Sequence, residues 1–160
     1  MEFNHFDSQG QAIMVDVSGK QPTERVAIAQ ATVSMQAATL ELIRTGAAKK
    51  GDVLGVARLA GIMAAKKTPE MIPLAHPLAI HSVAVEFELT DDPAGVIIRA
   101  QVKAVERTGM EMEAMLAATM AAMTIYDMCK GVDRSMVLEQ TCLLYKSGGR
   151  SGVYERSPKN

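Results

Sequence analysis

The chain contains 160 residues and carries a formal net charge of −1, with 17 Lys and Arg residues against 18 Asp and Glu residues. This length predicts a single domain, residues 1–160, with enough chain to bury a core. The balanced charge argues against a bulk attraction to nucleic acid or to an anionic membrane, and an aromatic content of 4% argues against base stacking.

No apolar run approaches the ~20 residues that a membrane-spanning helix needs, and no secretory signal pattern opens the chain. Cys129 and Cys142 show no CxxC spacing and lie in apolar segments, which is typical of reduced core cysteines. We therefore expect a cytoplasmic location and no membrane partner.

The first half of the chain predicts a strand and two helices after a polar arm. Residues 1–14 are expected to form a mobile arm, and the short apolar run AIMVDV could add an edge strand. ERVAIAQATVSM alternates and predicts a strand that ends at Met35, whereas QAATLELIRTG has helical spacing and stops at Gly46. Asp52 is placed to cap a second helix, which ends in AAKK.

The second half predicts a hairpin, a long helix and a final strand. AIHSVAVEFEL and GVIIRAQVKAVER alternate around the turn TDDPAG. Thr108 and Glu111 have the spacing of a capping box, which predicts the start of a long helix, and Gly131 is placed to end it. SMVLEQTCLLYK predicts a final strand. The glycine-rich tail that follows, residues 147–160, is expected to be mobile. This order predicts an α+β, ferredoxin-like βαββαβ sandwich, with an antiparallel sheet covered by helices on one face.

Asp127 and Lys130 lie three residues apart near the end of the long helix, in YDMCK, so their side chains share one face. One interpretation is a surface ion pair that adds ~0.3 to 1 kcal/mol to stability. The other is an acid/base pair, in which the carboxylate steers protons and the lysine exchanges them. The spacing leaves both open, because the second role requires a pocket.

Glu111 and Glu113 are two residues apart, so on a helix they point about 200° apart and are not expected to face one site. Glu111 is interpreted as the capping-box partner of Thr108. Glu113 precedes Asp127 by fourteen residues, which places them within about 40° around the helix but ~21 Å apart along its axis. If both serve one site, we hypothesise that Glu113 comes from a neighbouring subunit.

Basic side chains gather at the ends of the predicted elements, where each one alone is an ordinary solvated residue and the group together can bind phosphates. They are Lys49, Lys50, Lys66, Lys67, Lys146 and Arg150. KSGGRSG also offers backbone N–H groups to an oxyanion. It does not match GxxxxGK[ST] and no helix follows it, so a P-loop is excluded.

His76 stands between two prolines in PLAHPLAIH, which stiffen its backbone. A hydrogen-bonded loop histidine and a ligand-contacting one are both compatible with that position. His5, His76 and His81 show no metal-ligand spacing with cysteine, so no metal site is expected.

Six segments in this order resemble one family. KKGDV, AAKKT, IPLAHPL, TGMEMEA, MTIYDMCK and KSGGRSG are similar to the motifs of the cyclic pyranopterin monophosphate synthases, the C protein of molybdenum cofactor biosynthesis. The match runs from about Val15 to Gly152. The resemblance implies a lyase that converts 3′,8-cyclo-7,8-dihydroguanosine triphosphate into cyclic pyranopterin monophosphate and releases pyrophosphate. It also implies a ferredoxin-like subunit in a homo-hexamer, a trimer of dimers, with active sites at subunit interfaces.

The resemblance implies roles for particular residues. Asp127 and Lys130 would carry the acid/base chemistry, with Lys50 as a further proton donor. The pterin end of the substrate would contact Leu74, Ala75, His76, Met112 and Glu113, and the triphosphate would contact Lys66, Lys146 and Arg150. No cofactor bound by the protein is implied, although Mg²⁺ could accompany the triphosphate.

Ala75 is one departure, because the family often has cysteine at this position. Since the other motifs are intact, we interpret the position as lining the pocket rather than reacting. Composition and spacing alone leave two alternatives: a non-catalytic nucleotide-binding oligomer of the same fold, and a nucleotide pyrophosphohydrolase. The first would need the basic loops but not both Asp127 and Lys130, and the second would usually show carboxylates gathered for Mg²⁺.

Overall fold

The structure is a computed structural model and describes residues 5–157. Its strands are β1 (Thr23–Ser34), β2 (Ser82–Asp91), β3 (Ala94–Glu106), β4 (Val137–Ser147) and β5 (Tyr154–Glu155). Its helices are α1 (Ala37–Arg44), α2 (Val53–Lys66), α3 (Thr68–Met71) and α4 (Glu111–Cys129). Residues 1–4 of the predicted arm and 158–160 of the predicted tail lie outside the described residues.

The strands form one antiparallel sheet in the order β2-β3-β1-β4-β5. β1 lies at the centre and pairs with β3 along its whole length, from Thr23 opposite Glu106 to Ser34 opposite Gly95. Strict alternation fixes this register, since a slip of one residue would turn the buried side chains of β1 outward. The order and direction of the strands confirm the predicted ferredoxin-like α+β arrangement.

The helices cover one face of the sheet, and small side chains let them approach closely. On β1 the buried positions alternate through Ala27, Ala29 and Ala31, which face a run of buried alanines on α4. α2 packs against α4, and at Gly61 an added Cβ would come within 2.9 Å of the backbone oxygen of Ala117. The core is therefore a tightly spaced layer of Ala, Val and Ile with few large side chains.

Several local predictions are confirmed. The first strand ends at Ser34, one residue before the predicted end, and the first helix is followed by Gly46 at φ +69°. Asp52 caps α2, because its Oδ1 accepts a hydrogen bond from the Gly55 backbone N–H at 2.8 Å.

The capping box predicted for the long helix is wrong. α4 begins at Glu111 with Met110 as its N-cap residue, and no side chain caps it. Met110 is 1% exposed, so the chain buries this side chain before the helix starts, and Thr108 lies outside the helix. The edge strand suggested for AIMVDV is also absent from the described chain, where Ala12 makes only an isolated bridge with Phe6.

Candidate active site

Two adjoining pockets form a continuous cleft at the N-terminal end of α4. The larger has a volume of about 750 Å³ and the smaller about 240 Å³. They share the walls made by Lys20, Thr108, Gly109 and Glu111. A ligand longer than one ring can therefore lie across both.

The larger pocket is strongly basic. Five cationic side chains line it against one carboxylate, that of Glu111. The cations are Lys20, Arg25, Arg107, Lys146 and Arg150. Lys146 lies 3.8 Å from Glu111 Oε1 and donates a hydrogen bond to Ser151 Oγ. This excess of positive charge suits a ligand with several negative charges.

Arg25 is the buried cation of this pocket, at 8% exposure. Its Nε donates to the carbonyl of Glu106 at 3.1 Å, and its Nη2 donates to the carbonyl of Arg107 at 3.2 Å. Within the described part of the chain no carboxylate pairs with it. A guanidinium that is held by two carbonyls and has no counter-ion is ready to bind an anion.

The glycine pair of KSGGRSG makes room for Arg25. Gly148 and Gly149 have φ values of +99° and +72°, which favour glycine. An added Cβ at Gly148 would meet the backbone oxygen of Glu24, and one at Gly149 would meet the Arg25 guanidinium. The loop that follows β4 can therefore close directly over the Arg25 side chain.

The smaller pocket carries the residues predicted for the pterin end of the substrate. Leu74, Ala75, His76, Met112 and Glu113 all line it. His76 is half-buried, and its Nε2–H donates to the carbonyl of Val15 at 2.7 Å, so the carbonyl acceptor sets the proton on Nε2.

Glu113 is a buried carboxyl that lines the smaller pocket, with 3% exposure. Burial raises its pKa to about 7, and the nearby charge of Glu111 adds to the rise. A carboxyl with this pKa can give or take a proton near neutral pH. Glu111 lines the same pocket, so the expectation that the two glutamates face different sites is wrong: the pocket wraps around the first turn of α4.

Asp127, Lys130 and Lys50 form a separate cluster at the C-terminal end of α4. Lys130 Nζ lies 2.6 Å from Asp127 Oδ1, and Lys50 Nζ lies 3.6 Å from Asp127 Oδ2 while donating to the Asp127 carbonyl at 2.8 Å. The hydrogen bond and charge of Lys130 lower the pKa of Asp127, and Asp127 in turn raises the pKa of Lys130. The three side chains are about half exposed and line neither pocket.

The structure therefore divides the predicted site residues of one chain into two groups. The cleft gathers the predicted pterin contacts together with Lys146 and Arg150, and the other end of α4 gathers the predicted acid/base residues. Lys66, predicted as a triphosphate contact, is exposed on α2 and lines neither pocket. The fourteen residues between Glu113 and Asp127 correspond to ~21 Å of helix.

Three cationic residues that line the cleft, Lys20, Arg25 and Arg107, are not among the site residues predicted from the sequence. Arg25 lies on the buried face of β1, together with Ala27 and Ala29. A cationic residue on the apolar face of a predicted strand is unusual, and this pattern could have identified Arg25 as a site residue. Lys20 and Arg107 carry no such signal, since they flank loops where basic residues are common.

In the part of the chain that the structure covers, residues 5–157, no helix is long and apolar enough to cross a membrane. Over the same range, no group of three His, Cys, Asp or Glu side chains is placed to hold a metal ion.

The fold and the cleft define a class of protein: a ferredoxin-like α+β chain with a strongly basic cleft at the N-terminal end of its longest helix. A model of the MoaC family matches residues 14–149. Relatives named cyclic pyranopterin monophosphate synthase include a Geotalea uraniireducens protein, 63% identical over 98% of both chains, and a Geobacter metallireducens protein, 62% identical over 98% of both. A relative of the same name from Pelotomaculum thermopropionicum is 55% identical over 95% of this chain and 89% of its own. The chain belongs to the MoaC family.

Proposed function

We propose that this protein is a lyase that forms cyclic pyranopterin monophosphate from 3′,8-cyclo-7,8-dihydroguanosine triphosphate, with release of pyrophosphate, in molybdenum cofactor biosynthesis. The observation that carries the proposal is the cleft itself: a basic pocket joined to a smaller pocket that holds a buried carboxyl and a histidine. The names and high identities of the relatives support the same activity.

The shape of the cleft suggests how the substrate would lie. The basic pocket suits the triphosphate, because its five cations would neutralise the phosphate oxygens. The smaller pocket suits the ring system, with Leu74 and Met112 against its faces and Glu113 near its polar edge. The phosphate nearest the sugar would then lie where the two pockets meet.

The phosphate chemistry requires charge stabilisation and a proton acceptor. A substrate hydroxyl oxygen forms a bond to the phosphorus nearest the sugar, the bond from that phosphorus to the pyrophosphate oxygen breaks, and the hydroxyl proton passes to a base. The electron pair leaves with pyrophosphate, whose growing negative charge the lysines and arginines of the basic pocket would stabilise. The proposal needs no metal held by the protein, and Mg²⁺ would travel with the triphosphate.

The proton transfers of ring opening and closure need groups that exchange protons near neutral pH. Glu113 suits this task, because burial raises its pKa to about 7. Asp127 and Lys130 would supply a second acid/base pair, with Lys50 as a further donor beside Asp127.

We further propose that Asp127, Lys130 and Lys50 act in the cleft of a neighbouring subunit, within a cytoplasmic homo-hexamer built as a trimer of dimers. Support comes from the ~21 Å of helix between Glu113 and Asp127, which one small substrate does not span. Further support comes from an apolar stripe on α2, where Val56, Leu59 and Met63 are 45%, 59% and 50% exposed. Large apolar side chains at helical spacing are typical of a surface that another chain covers.

The experiment that tests the activity is incubation of the purified protein with enzymatically prepared 3′,8-cyclo-7,8-dihydroguanosine triphosphate. Pyrophosphate and the oxidised, fluorescent pterin are both measured, for the wild type, for Lys130→Ala and for Lys103→Ala. Lys103 is the matched control, because it is an exposed lysine on β3 that lines neither pocket. We expect both products from the wild type and Lys103→Ala and neither from a folded Lys130→Ala. Binding of the nucleotide without product would instead favour the non-catalytic binding protein.

Ala75 provides a separate test. It lines the smaller pocket, and we propose that it shapes this pocket without taking part in bond making. Ala75→Cys is therefore expected to change kcat/KM by less than about tenfold, which corresponds to ~1.4 kcal/mol. A gain of several orders of magnitude would overturn this role and make the thiol a reacting group.

A further inference from the structure

Residues 15–20, which we call the strap, contribute to the walls of both pockets. Val15, Val17 and Lys20 line the smaller pocket, and Gly19 and Lys20 line the larger one. The strap precedes the first strand and belongs to no helix or strand, so it forms an outer wall laid on the sandwich.

Two side chains from the cleft walls hold the ends of the strap. His76 Nε2–H donates to the carbonyl of Val15 at 2.7 Å, and Arg107 Nε donates to the carbonyl of Lys20 at 3.0 Å. Between these tethers the Ser18 N–H donates to Asp16 Oδ1 at 2.8 Å, and the Lys20 N–H donates to the Val17 carbonyl at 3.0 Å. The strap is thus a preformed turn whose position is set by His76 and Arg107.

Little of the surface of the strap is buried. Its side chains are exposed or half-buried, and none belongs to the core cluster. A segment with few buried apolar contacts has a low free energy of local opening, so a bound ligand can stabilise it strongly.

Lys20 has a distinctive place in this arrangement. Within residues 5–157 it is the one cationic side chain that lines both pockets, and no carboxylate in that range pairs with it. Lys20 therefore lies where the basic pocket and the ring pocket meet.

We propose that Lys20 binds the substrate phosphate nearest the sugar and that His76 and Arg107 are positioning residues that hold the strap over it. The inference rests on the proposed function, which places the triphosphate in the basic pocket and the ring in the smaller one. The phosphorus at the junction is the one where the hydroxyl oxygen bond forms and the pyrophosphate bond breaks. Lys20 keeps its proton throughout and stabilises the negative charge on the oxygens of that phosphate.

The test compares Lys20→Ala, Lys20→Arg and the control Lys103→Ala, which changes an exposed lysine outside both pockets, with the wild type. Kinetics of pyrophosphate release give kcat and KM, and titrations with GTP and with inorganic pyrophosphate measure binding without turnover. We expect Lys20→Ala to lower kcat/KM by about 10- to 100-fold, as for loss of a hydrogen bond to a charged group, with most of the loss in kcat. Lys20→Arg should recover part of the loss, and Lys103→Ala should match the wild type.

The binding data separate Lys20 from a general anion contact. GTP should bind Lys20→Ala more weakly than wild type, whereas inorganic pyrophosphate should bind both within about twofold, because it mimics the two phosphates that leave. Equal losses for both ligands would overturn the assignment to the junction phosphate.

Amide hydrogen exchange tests the positioning residues. It distinguishes local opening of the strap from a general loss of stability, which would also speed exchange in β1 and β3. In the wild type, GTP should slow exchange of the strap amides, and this protection should be lost in Lys20→Ala. His76→Ala should speed exchange of the strap without ligand while β1 and β3 remain protected. If the wild type forms product and Lys20→Ala keeps both its kcat/KM and its strap protection, the inference fails and the proposed function stands. If the wild type forms no product, the proposed function fails, and GTP-dependent protection of the strap still reports on Lys20.

Discussion

Burial allows Glu113 to give or take a proton near neutral pH, which an exposed glutamate does not do. The side chain is 3% exposed beside Glu111, and the loss of water raises its pKa to about 7. Arg25 is the opposite case, because its buried guanidinium donates to two backbone carbonyls, which replace part of the water that it loses on folding. At the scale of the residue, the cleft therefore combines a buried carboxyl of raised pKa with a buried guanidinium that no carboxylate within residues 5–157 pairs with.

The raised pKa of Glu113 predicts how stability depends on pH. In the unfolded chain this carboxyl ionises near its ordinary value of 4.5, whereas in the folded protein it keeps its proton to about pH 7. Between these values the folded state binds more protons, so the free energy of unfolding falls as pH rises, by up to ~3 kcal/mol. Glu113→Gln should remove this decline, as measured by urea unfolding at several pH values and one protein concentration.

The control for that experiment is Glu139→Gln, which changes an exposed carboxyl on β4. It should keep the wild-type decline, because Glu113 is still present. An equal decline in Glu113→Gln would show that other groups cause it.

At the scale of the element, contacts between distant segments complete what local sequence leaves open. The N-cap residue of α1, Gln36, makes no side-chain cap. Asp133, from the loop after α4, accepts hydrogen bonds from the Gln36 N–H at 3.0 Å and from Thr39 Oγ1 at 3.1 Å. The start of α1 is thus fixed to the segment that follows Lys130, which also orders the end of α4.

The close packing of α2 on α4 predicts that a Gly→Ala substitution in α2 destabilises the protein, which is the opposite of its usual effect within a helix. In most helix interiors Gly→Ala stabilises by roughly 0.5 to 1 kcal/mol. At Gly61 the new Cβ would lie 2.9 Å from the Ala117 backbone oxygen and 3.2 Å from Val85 Cγ2, so the helices must move apart. Gly61→Ala should therefore destabilise the protein by about 1 to 3 kcal/mol, measured by urea unfolding.

Ala60→Gly on the same helix calibrates the intrinsic effect. Ala60 is half-buried and outside the core cluster, so this change should lose only about 1 kcal/mol of helix propensity. A stabilised Gly61→Ala would mean that the gap between α2 and α4 is wider than the structure places it.

At the scale of the whole molecule, one chain carries the two groups of predicted site residues at opposite ends of α4. A long helix cannot bend back to bring Glu113 and Asp127 together, because its hydrogen bonds fix a rise of about 1.5 Å per residue. In the proposed assembly, Asp127 and Lys130 at the C-terminal end of one α4 would meet Glu113 in the cleft of a neighbouring chain.

Mixing two inactive variants tests this arrangement. Subunits with Glu113→Ala and subunits with Asp127→Ala should each form inactive assemblies, and unfolding and reassembly of an equal mixture should restore activity. If both residues serve one interface site in a dimer, random pairing leaves one intact site in half of the dimers, or about a quarter of wild-type activity. A mixture that stays inactive after verified exchange of subunits would argue against a shared site.

The sequence predicted the fold well because its signals are local and consistent. Alternation across ERVAIAQATVSM and the following hairpin, the Asp52 cap and Gly46 all act within a few residues, and each formed as expected. The start of α4 was misplaced because burial of Met110, a tertiary effect, outweighed the capping-box spacing of Thr108 and Glu111.

The candidate site was only partly accessible to the same reasoning. The pterin contacts and Lys146 follow from the family resemblance and do line the cleft, and their roles stay predictions. Lys20 and Arg107 join them only because the strap and the end of β3 meet in space, at positions 87 residues apart in sequence.

By itself, then, the sequence determined the main strands and helices in their order along the chain, the antiparallel sheet with helices on one face, and the motifs that resemble the MoaC family. Hydrophobic periodicity and turn residues carry that information along the chain. Only the tertiary structure decided which charges lose their water and which share a cleft. Three features depend on how distant segments pack together: the burial of Glu113, the hydrogen bonds of Arg25 to the end of β3, and the position of Lys20 in the walls of both pockets. No local sequence pattern encodes the distances between those segments.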